Sequence, residues 1–257
     1  MEIYDIDQSI DYDNMLIYGA PGTGKSHTAF TAGKHFYTLV LDVDWGAKTL
    51  KNLDKEIQEN VVVLRYTQFS DLNDVYQMLL KNNTQEKWEA VFKQKDIKFK
   101  PKKPFECVVI DSLSELQRKM RLELQGVEVI EKMKNPANAR SLKIQEWGAV
   151  SDLTATTCSD AFGMLPMVFI AIAHEQMITD DVSGLIAGTP LLNGKIAFNI
   201  GKYFDLVGRM AMTRDGQYAM MLKPEKKWQA KTRDNLPDVM LNPTIGKLTG
   251  LEPANNK

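Results

Sequence analysis

The stretch "GAPGTGKS" at residues 19–26 follows the short apolar run "MLIY" and fits the spacing G-x-x-x-x-G-K-[ST] through Gly19, Gly24, Lys25 and Ser26. Glycines at such positions let main-chain N–H groups turn inward around phosphate oxygens, where a side chain at positive φ would be strained. Lys25 would reach the β- and γ-phosphates of a nucleotide such as ATP, and the Ser26 hydroxyl would ligate Mg²⁺. The candidate nucleotide contacts run from Gly19 through Ala20, Pro21, Gly22, Thr23, Gly24, Lys25 and Ser26 to His27. A Gly-rich stretch can be a plain turn, but this one stands between a strand-like run and a helical pattern, the setting that phosphate binding needs.

A magnesium ion held by one hydroxyl needs an acidic partner at the end of a neighbouring buried strand. "FECVVIDS" supplies Asp111, which makes Ser26 and Asp111 the candidate metal-shell pair. The structural alternative for Asp111 is a cap on the following helix. In "SLSE", Ser112 and Glu115 stand at capping-box spacing, which assigns Glu115 to the helix start rather than to chemistry. Hydrolysis would need a further carboxylate to orient the attacking water. "LVLDVDWG" offers Asp42 inside a strand and Asp44 at its exit, and Asp44 is the better placed; its structural alternative is a turn aspartate before Gly46.

These residues need a sheet to hold them. Strand-like runs at 15–18, 37–43, 60–66, 106–111 and 167–173 alternate with helical patterns at the phosphate loop, 71–80, 113–124 and 146–163. Such alternation predicts an α/β fold with a mostly parallel central sheet flanked by helices. Near the C-terminus, runs at 205–213 and 217–223 flank "RDG" and predict an antiparallel hairpin. We expect a single domain over 1–251, with a lysine-rich insertion at about 83–104 that looks like a loop, and a frayed tail over 252–257.

A net charge of -1 gives no bulk basic character, so a nucleic-acid site would have to be a local patch or a surface built by self-association. The first residues, "MEIYDIDQSIDYD", lack the order of a signal peptide, and the longest apolar stretch is nine residues. Cys107 and Cys158 sit far apart in apolar surroundings and read as reduced core thiols. A soluble, cytoplasmic protein with no membrane contact is expected.

Taken in order, "GAPGTGKS", "LDVDWG", "VVIDSLSEL", "EWGAVSDL", "VFIAIAHEQ", "FDLVGRM" and "AKTR" resemble the phage RecA-core P-loop ATPases associated with single-strand-annealing recombination, over residues 12–235. The resemblance implies a RecA-like core and an ATP- and Mg²⁺-dependent ATPase. It further implies a ring or filament acting on single-stranded DNA in the host cell cytoplasm, with a phage single-strand-binding protein as a possible partner. It places the water-orienting base at Asp44, although relatives usually carry Glu there. Many AAA-type ATPases have a catalytic Glu directly after the strand acid, where this chain has Ser112. It places a γ-phosphate sensor at His174, with Gln176 as the alternative, and a cation pair that enters the neighbouring subunit's site at Lys231 and Arg233. The structural alternatives are a strand-end histidine and two solvated surface cations.

Three segments are candidate DNA contacts: 125–145 with Lys132, Lys134, Arg140 and Lys143; 177–194, which also carries Asp180 and Asp181; and "KQKDIKFKPKK" at 93–103 with Phe99. Trp45 is a candidate stacking partner for the adenine. Two other functions use the same loop: a small-molecule kinase, for which no Arg-rich lid segment is evident, and a nucleotide-dependent switch or adaptor with little turnover.

Overall fold

The computed structural model describes residues 13–66, 68–94, 99–125, 143–179, 186–225 and 227–254. Runs that are apolar along their length become strands covered on both faces, because a parallel strand with helices above and below has no wet side. Those strands are β1 (Asn14–Gly19), β2 (Thr38–Asp42), β3 (Val61–Arg65), β4 (Cys107–Asp111) and β5 (Val168–Thr179). They are followed by β6 (Ile186–Pro190), β7 (Leu206–Met212), β8 (Tyr218–Met221) and β9 (Val239–Leu241). The sheet order is β3-β2-β4-β5-β1-β7-β8-β9, with β6 added to β5. The first six of these run parallel, and β8 and β9 close the edge in antiparallel fashion.

Alternate residues of each strand face opposite sides, so the sheet divides the core in two. Met15, Ile17, Val40, Val109 and Ile170 pack with α1 (Lys25–Phe30), α2 (Lys55–Asn60) and the short C-terminal helix Ile245–Leu248. Leu16, Tyr18, Leu39, Val108 and Phe169 pack with α3 (Phe69–Lys81), α4 (Gln85–Gln94), α5 (Leu113–Leu124) and α6 (Ile144–Thr156). Among the described residues, no helix is long and apolar enough to cross a membrane. Cys107 and Cys158 are buried and free, and burial raises both thiols, Cys107 to about 12.

Register fixes which side chains meet. Asp42 pairs with Asp111 across β2 and β4, and Gly19 pairs with His174 across β1 and β5. Strand β5 separates β4 from β1, so the acid-bearing strand and the phosphate-loop strand are not neighbours.

Several elements differ from the sequence expectation. The stretch read as a looped insertion opens with α4, because Trp88 and Phe92 at i, i+4 bury one face against Phe105. Strand β5 runs on past 173, where the sequence reading ended it, and pairs with β6 from Glu175↔Pro190 to Thr179↔Ile186, largely within the stretch 177–194 read as a candidate DNA contact. The helix expected over 146–163 changes winding: α6 gives way to a π turn at Thr157–Ala161 and a 3₁₀ turn at Phe162–Met164. Within it Thr154, Thr157 and Ser159 each donate to the carbonyl four residues back.

At the C-terminus Glu252, placed by sequence in the frayed tail, is tied down. Its carboxylate accepts from Lys34 at 2.6 Å, Thr244 at 2.6 Å and His35 at 3.0 Å. The bonds from Lys34 and Thr244, joined by that from His35, pull its pKa from 4.5 to about 2. A depressed carboxylate stabilises the fold above its unfolded pKa, and that contribution fades as pH falls from about 4.5 toward 2. Glu252→Gln should therefore unfold at lower urea than wild type at pH 7, with the gap shrinking between pH 5 and pH 3. A gap independent of pH would mean that the carboxylate charge does not contribute.

Candidate nucleotide site

The phosphate loop leaves β1 at Gly19, where chain closeness explains the residue: a Cβ there would lie 2.5 Å from Met210 O on β7. Gly24 adopts φ +86 and lies under the Tyr218 ring, which a Cβ would meet at 2.7 Å. That ring also packs on His27, 5.3 Å between centroids. Thr23 Oγ1 and Lys25 Nζ both donate to Ala20 O at 2.8 Å and close the loop on itself. Burial lowers the Lys25 pKa, against the opposing pull of Asp111, Asp44 and Glu175.

Asp111 ends β4 with its carboxylate hydrogen-bonded to Ser26. Burial first, and then the charge of Asp44, pushes it up to about 7. One of its oxygens, Oδ2, is buried with no hydrogen-bond partner among the described residues, and so is Oδ1 of Asp44. Both oxygens face Gly46: a Cβ on that residue would lie 2.9 Å from Asp44 Oδ1 and 3.8 Å from Asp111 Oδ2. Paired acidic oxygens left unsatisfied beside a hydroxyl and an ammonium fit a hard cation, so Ser26 and Asp111 have the chemistry of a Mg²⁺ shell.

The two candidate bases separate cleanly. Asp42 Oδ1 accepts from Gly46 N at 2.9 Å, and Asp42 also takes the N–H groups of Trp45 and Ala47. Its carboxylate therefore holds a turn in which Trp45 sits at φ 67. Asp44 faces inward, bonded to Ser112 and standing 3.5 Å from His174 Nε2. Those partners, His174 first, lower its pKa and keep it ionised. Ser112 also accepts from Glu115 N at 3.3 Å as the cap of α5, and the Glu115 carboxylate is taken by Arg118. Lys119 Nζ, one turn further along α5, donates to Val43 O at 2.7 Å and steadies the Asp44 loop from below.

His174 stands at the carboxyl end of the sheet beside Asp44, its N–H on Ser114 Oγ at 3.0 Å. Gln176 points elsewhere: its amide donates to Pro190 O and Leu192 O and pins β6. Trp45 is 59% exposed with the Arg65 guanidinium 4.3 Å above its ring.

Lys231 and Arg233 are not brought to this site. Lys231 exchanges backbone bonds with Val207, and its ammonium donates to Phe204 O. Arg233 pairs with Asp205 at 2.7 Å and is 65% exposed. Asp205 precedes β7 and binds Asn14 N, so the pair lies at the amino end of β1, five residues and about 16 Å from Gly19.

The AAA domain family matches residues 12–234. The chain belongs to that family. As an AAA domain it is a P-loop nucleotide-binding protein. No curated protein matches it. Among solved structures it is similar to the crystal structure of the RadB recombinase, at 15% identity over 83% of this chain and 84% of that one, with a TM-score of 0.44.

Sequence reading passed over Tyr218 and Lys119. Tyr218 reaches the site only through the pairing of β8 with β7, which leaves no local spacing to find. Lys119 had a signal: it stands one turn after Glu115 on a helix that begins at the site.

Because Asp111 is raised in the folded protein, the free protein binds an extra proton between about pH 4 and pH 7 and loses stability as pH rises through that window. Asp111→Asn should raise the melting temperature of the nucleotide-free protein by several degrees at pH 8 and by little at pH 4. Equal melting at pH 8 would show that the carboxylate is compensated in the free state.

Proposed function

We propose that this AAA domain binds and hydrolyses ATP with Mg²⁺, acting as an oligomer on single-stranded DNA in phage recombination. The observation that carries the reading is the pair of unsatisfied oxygens on Asp111 and Asp44, set against Ser26 and Lys25. Bound magnesium would neutralise charge on the β- and γ-phosphate oxygens. Main-chain N–H groups of the loop would hold the phosphates, and Lys25 would exchange Ala20 O for them. Asp44 Oδ1, free of hydrogen bonds, would orient the attacking water.

His174 is close enough to Asp44 to choose between that carboxylate and a γ-phosphate oxygen. While it stays on Asp44 the carboxylate is a poor base, because its pKa is held down. Basal turnover is then slow, which is also how a nucleotide-dependent switch would behave. Arg233 cannot serve its own protomer from the far end of the sheet, so its contribution to hydrolysis is to the next protomer's ATP. A planar, permanently charged guanidinium suits that task.

DNA would lie along the carboxyl edge of the sheet, where α5 and the β5–β6 hairpin leave it. Tyr66, just past β3, donates to Glu123 at 3.2 Å and keeps the end of α5 at that edge. Lys132, Lys134, Arg140, Asp180 and Asp181 lie outside the described residues. The lysine-rich segment is less well placed. Lys102 and Lys103 pair with Glu59 and Glu106, Phe99 packs on Phe92, and Lys102 N donates to Tyr37 OH beside the amino end of β2.

Single-stranded DNA should raise the ATPase rate, with an affinity that falls steeply with salt. Arg233→Ala should lower kcat by about 10³-fold while nucleotide affinity stays within about two-fold. Turnover that needs a small-molecule acceptor would favour a kinase, and equal loss of affinity and rate in Arg233→Ala would remove the role in catalysis.

A further inference from the structure

One residue beyond His174 lies a buried ion pair that phosphate binding does not use. Arg209 of β7 donates through Nε to Glu175 Oε1 at 2.6 Å and through Nη2 to Oε2 at 3.4 Å, and the two side chains are only 16% and 10% exposed. Its third nitrogen reaches Met221 Sδ at 3.4 Å. The face of the guanidinium covers the Trp228 ring, 3.4 Å from the centroid. The same ring also abuts Gly188, where a Cβ would fall 1.9 Å from two of its carbons. Trp228 is thus wedged between a fixed cation and a backbone that admits no side chain.

From Trp228 the chain continues as a strap over the protomer's own sheet. Tyr18, the residue before the phosphate loop, donates its hydroxyl to Gln229 O at 2.5 Å. Lys231 and Val207 exchange N–H···O bonds at 2.9 and 2.7 Å, and Arg233 follows two residues later. Trp228 is the anchored end of this strap and Arg233 the exposed end. A pair of apolar side chains would hold β5 to β7 as well as a buried ion pair does. What apolar residues cannot supply is a flat cation held rigidly at both edges and stacked on an indole.

We propose that Arg209 is a positioning residue for the neighbouring protomer's ATP site: anchored by Glu175, it fixes Trp228 and through it the strap that presents Arg233. The proposal rests on Arg233 acting in trans. A strap released by an ångström or more misplaces the cation, which is enough to lower turnover by about 100-fold. Nucleotide affinity, set by the protomer's own loop, is preserved.

The test is complementation between two inactive variants. Lys25→Ala spoils a protomer's own phosphate site and leaves its strap intact, whereas Arg209→Met does the reverse. In an equimolar mixture with random neighbours, about a quarter of the sites join an intact loop to an intact strap, so the mixture should recover roughly a quarter of the wild-type rate. Trp228→Ala should complement Lys25→Ala in the same way. Arg209→Lys, charged but not planar, should remain impaired when alone, and a full rate for it overturns the proposal.

Arg233→Ala mixed with Lys25→Ala tests the underlying reading. If that mixture recovers and the Arg209→Met mixture does not, the positioning role is wrong and the borrowed cation stands. If neither recovers, both fail. Should Arg209→Met be unstable because Glu175 is left unpaired, the double variant Glu175→Met with Arg209→Met removes both charges and should complement Lys25→Ala just as the single variant would.

Discussion

Two carboxylates, Asp111 and Asp44, face the same glycine, each with one buried oxygen that has no hydrogen-bond partner among the described residues. Burial first, and then the like charge of Asp44, raises Asp111 to about 7, because a carboxylate taken out of water beside another anion is disfavoured. The rest of the site exists to keep the conflict from relaxing. Asp42 spends its own carboxylate on three N–H groups and so fixes the turn that delivers Asp44. Lys119 ties Val43 O from beneath, and Ser112 bonds to Asp44 while it caps α5. Acidic oxygens arranged in this way suit a hard divalent cation.

Sheet register explains how much of this was legible in the sequence. The phosphate loop and Asp111 could be read because each ends an apolar run, and a run covered on both faces leaves few other places for an acid. The preference for Asp44 over Asp42 rested on one residue of position, and the structure supplies its physical ground in the turn that Asp42 holds. Glu175, Arg209 and Trp228 were invisible as a group. They come from three segments: the parallel pairing of β1 with β5 and β7 brings Glu175 and Arg209 within reach, and the bridge of Trp228 to Gly188 adds the ring. Helix α4 was hidden by lysines that follow a stripe of only two large apolar residues. The continuation of β5 was hidden because its outer half is polar and pairs with a strand containing Gly188 and Pro190. Glu252 gave no signal, since its three partners lie 8 to 218 residues away in sequence.

Strand pairing separates two residues that look equivalent in the sequence. His174 and Gln176 alternate on the same strand and point to the same side, so spacing alone does not separate them. Beyond His174, however, β5 leaves the parallel sheet and takes β6 as its partner. Gln176 then finds two carbonyls of the β6 end within reach and is consumed by them. His174, still level with Gly19, keeps a ring nitrogen turned to Asp44. The switch in strand pairing thus leaves His174 facing Asp44 and sets Gln176 to hold the hairpin.

The length of the sheet sets the last constraint. The phosphate loop lies at the carboxyl end of β1, and Arg233 lies beside its amino end, on a strap bonded to β1 and β7 along most of the distance between. No rotation of the Arg233 side chain closes about 16 Å, and releasing the strap would break the Tyr18, Val207 and Phe204 contacts together. If Arg233 takes part in hydrolysis, the two ends of one protomer must therefore meet the opposite ends of others. Such a contact sets the loop of one protomer against the strap of another, either head to tail in a closed ring or open helix or reciprocally across a two-fold axis. In such an assembly every protomer uses its strap for a neighbour and its loop for itself, and the rigidity of the strap becomes a property of the neighbour's active site.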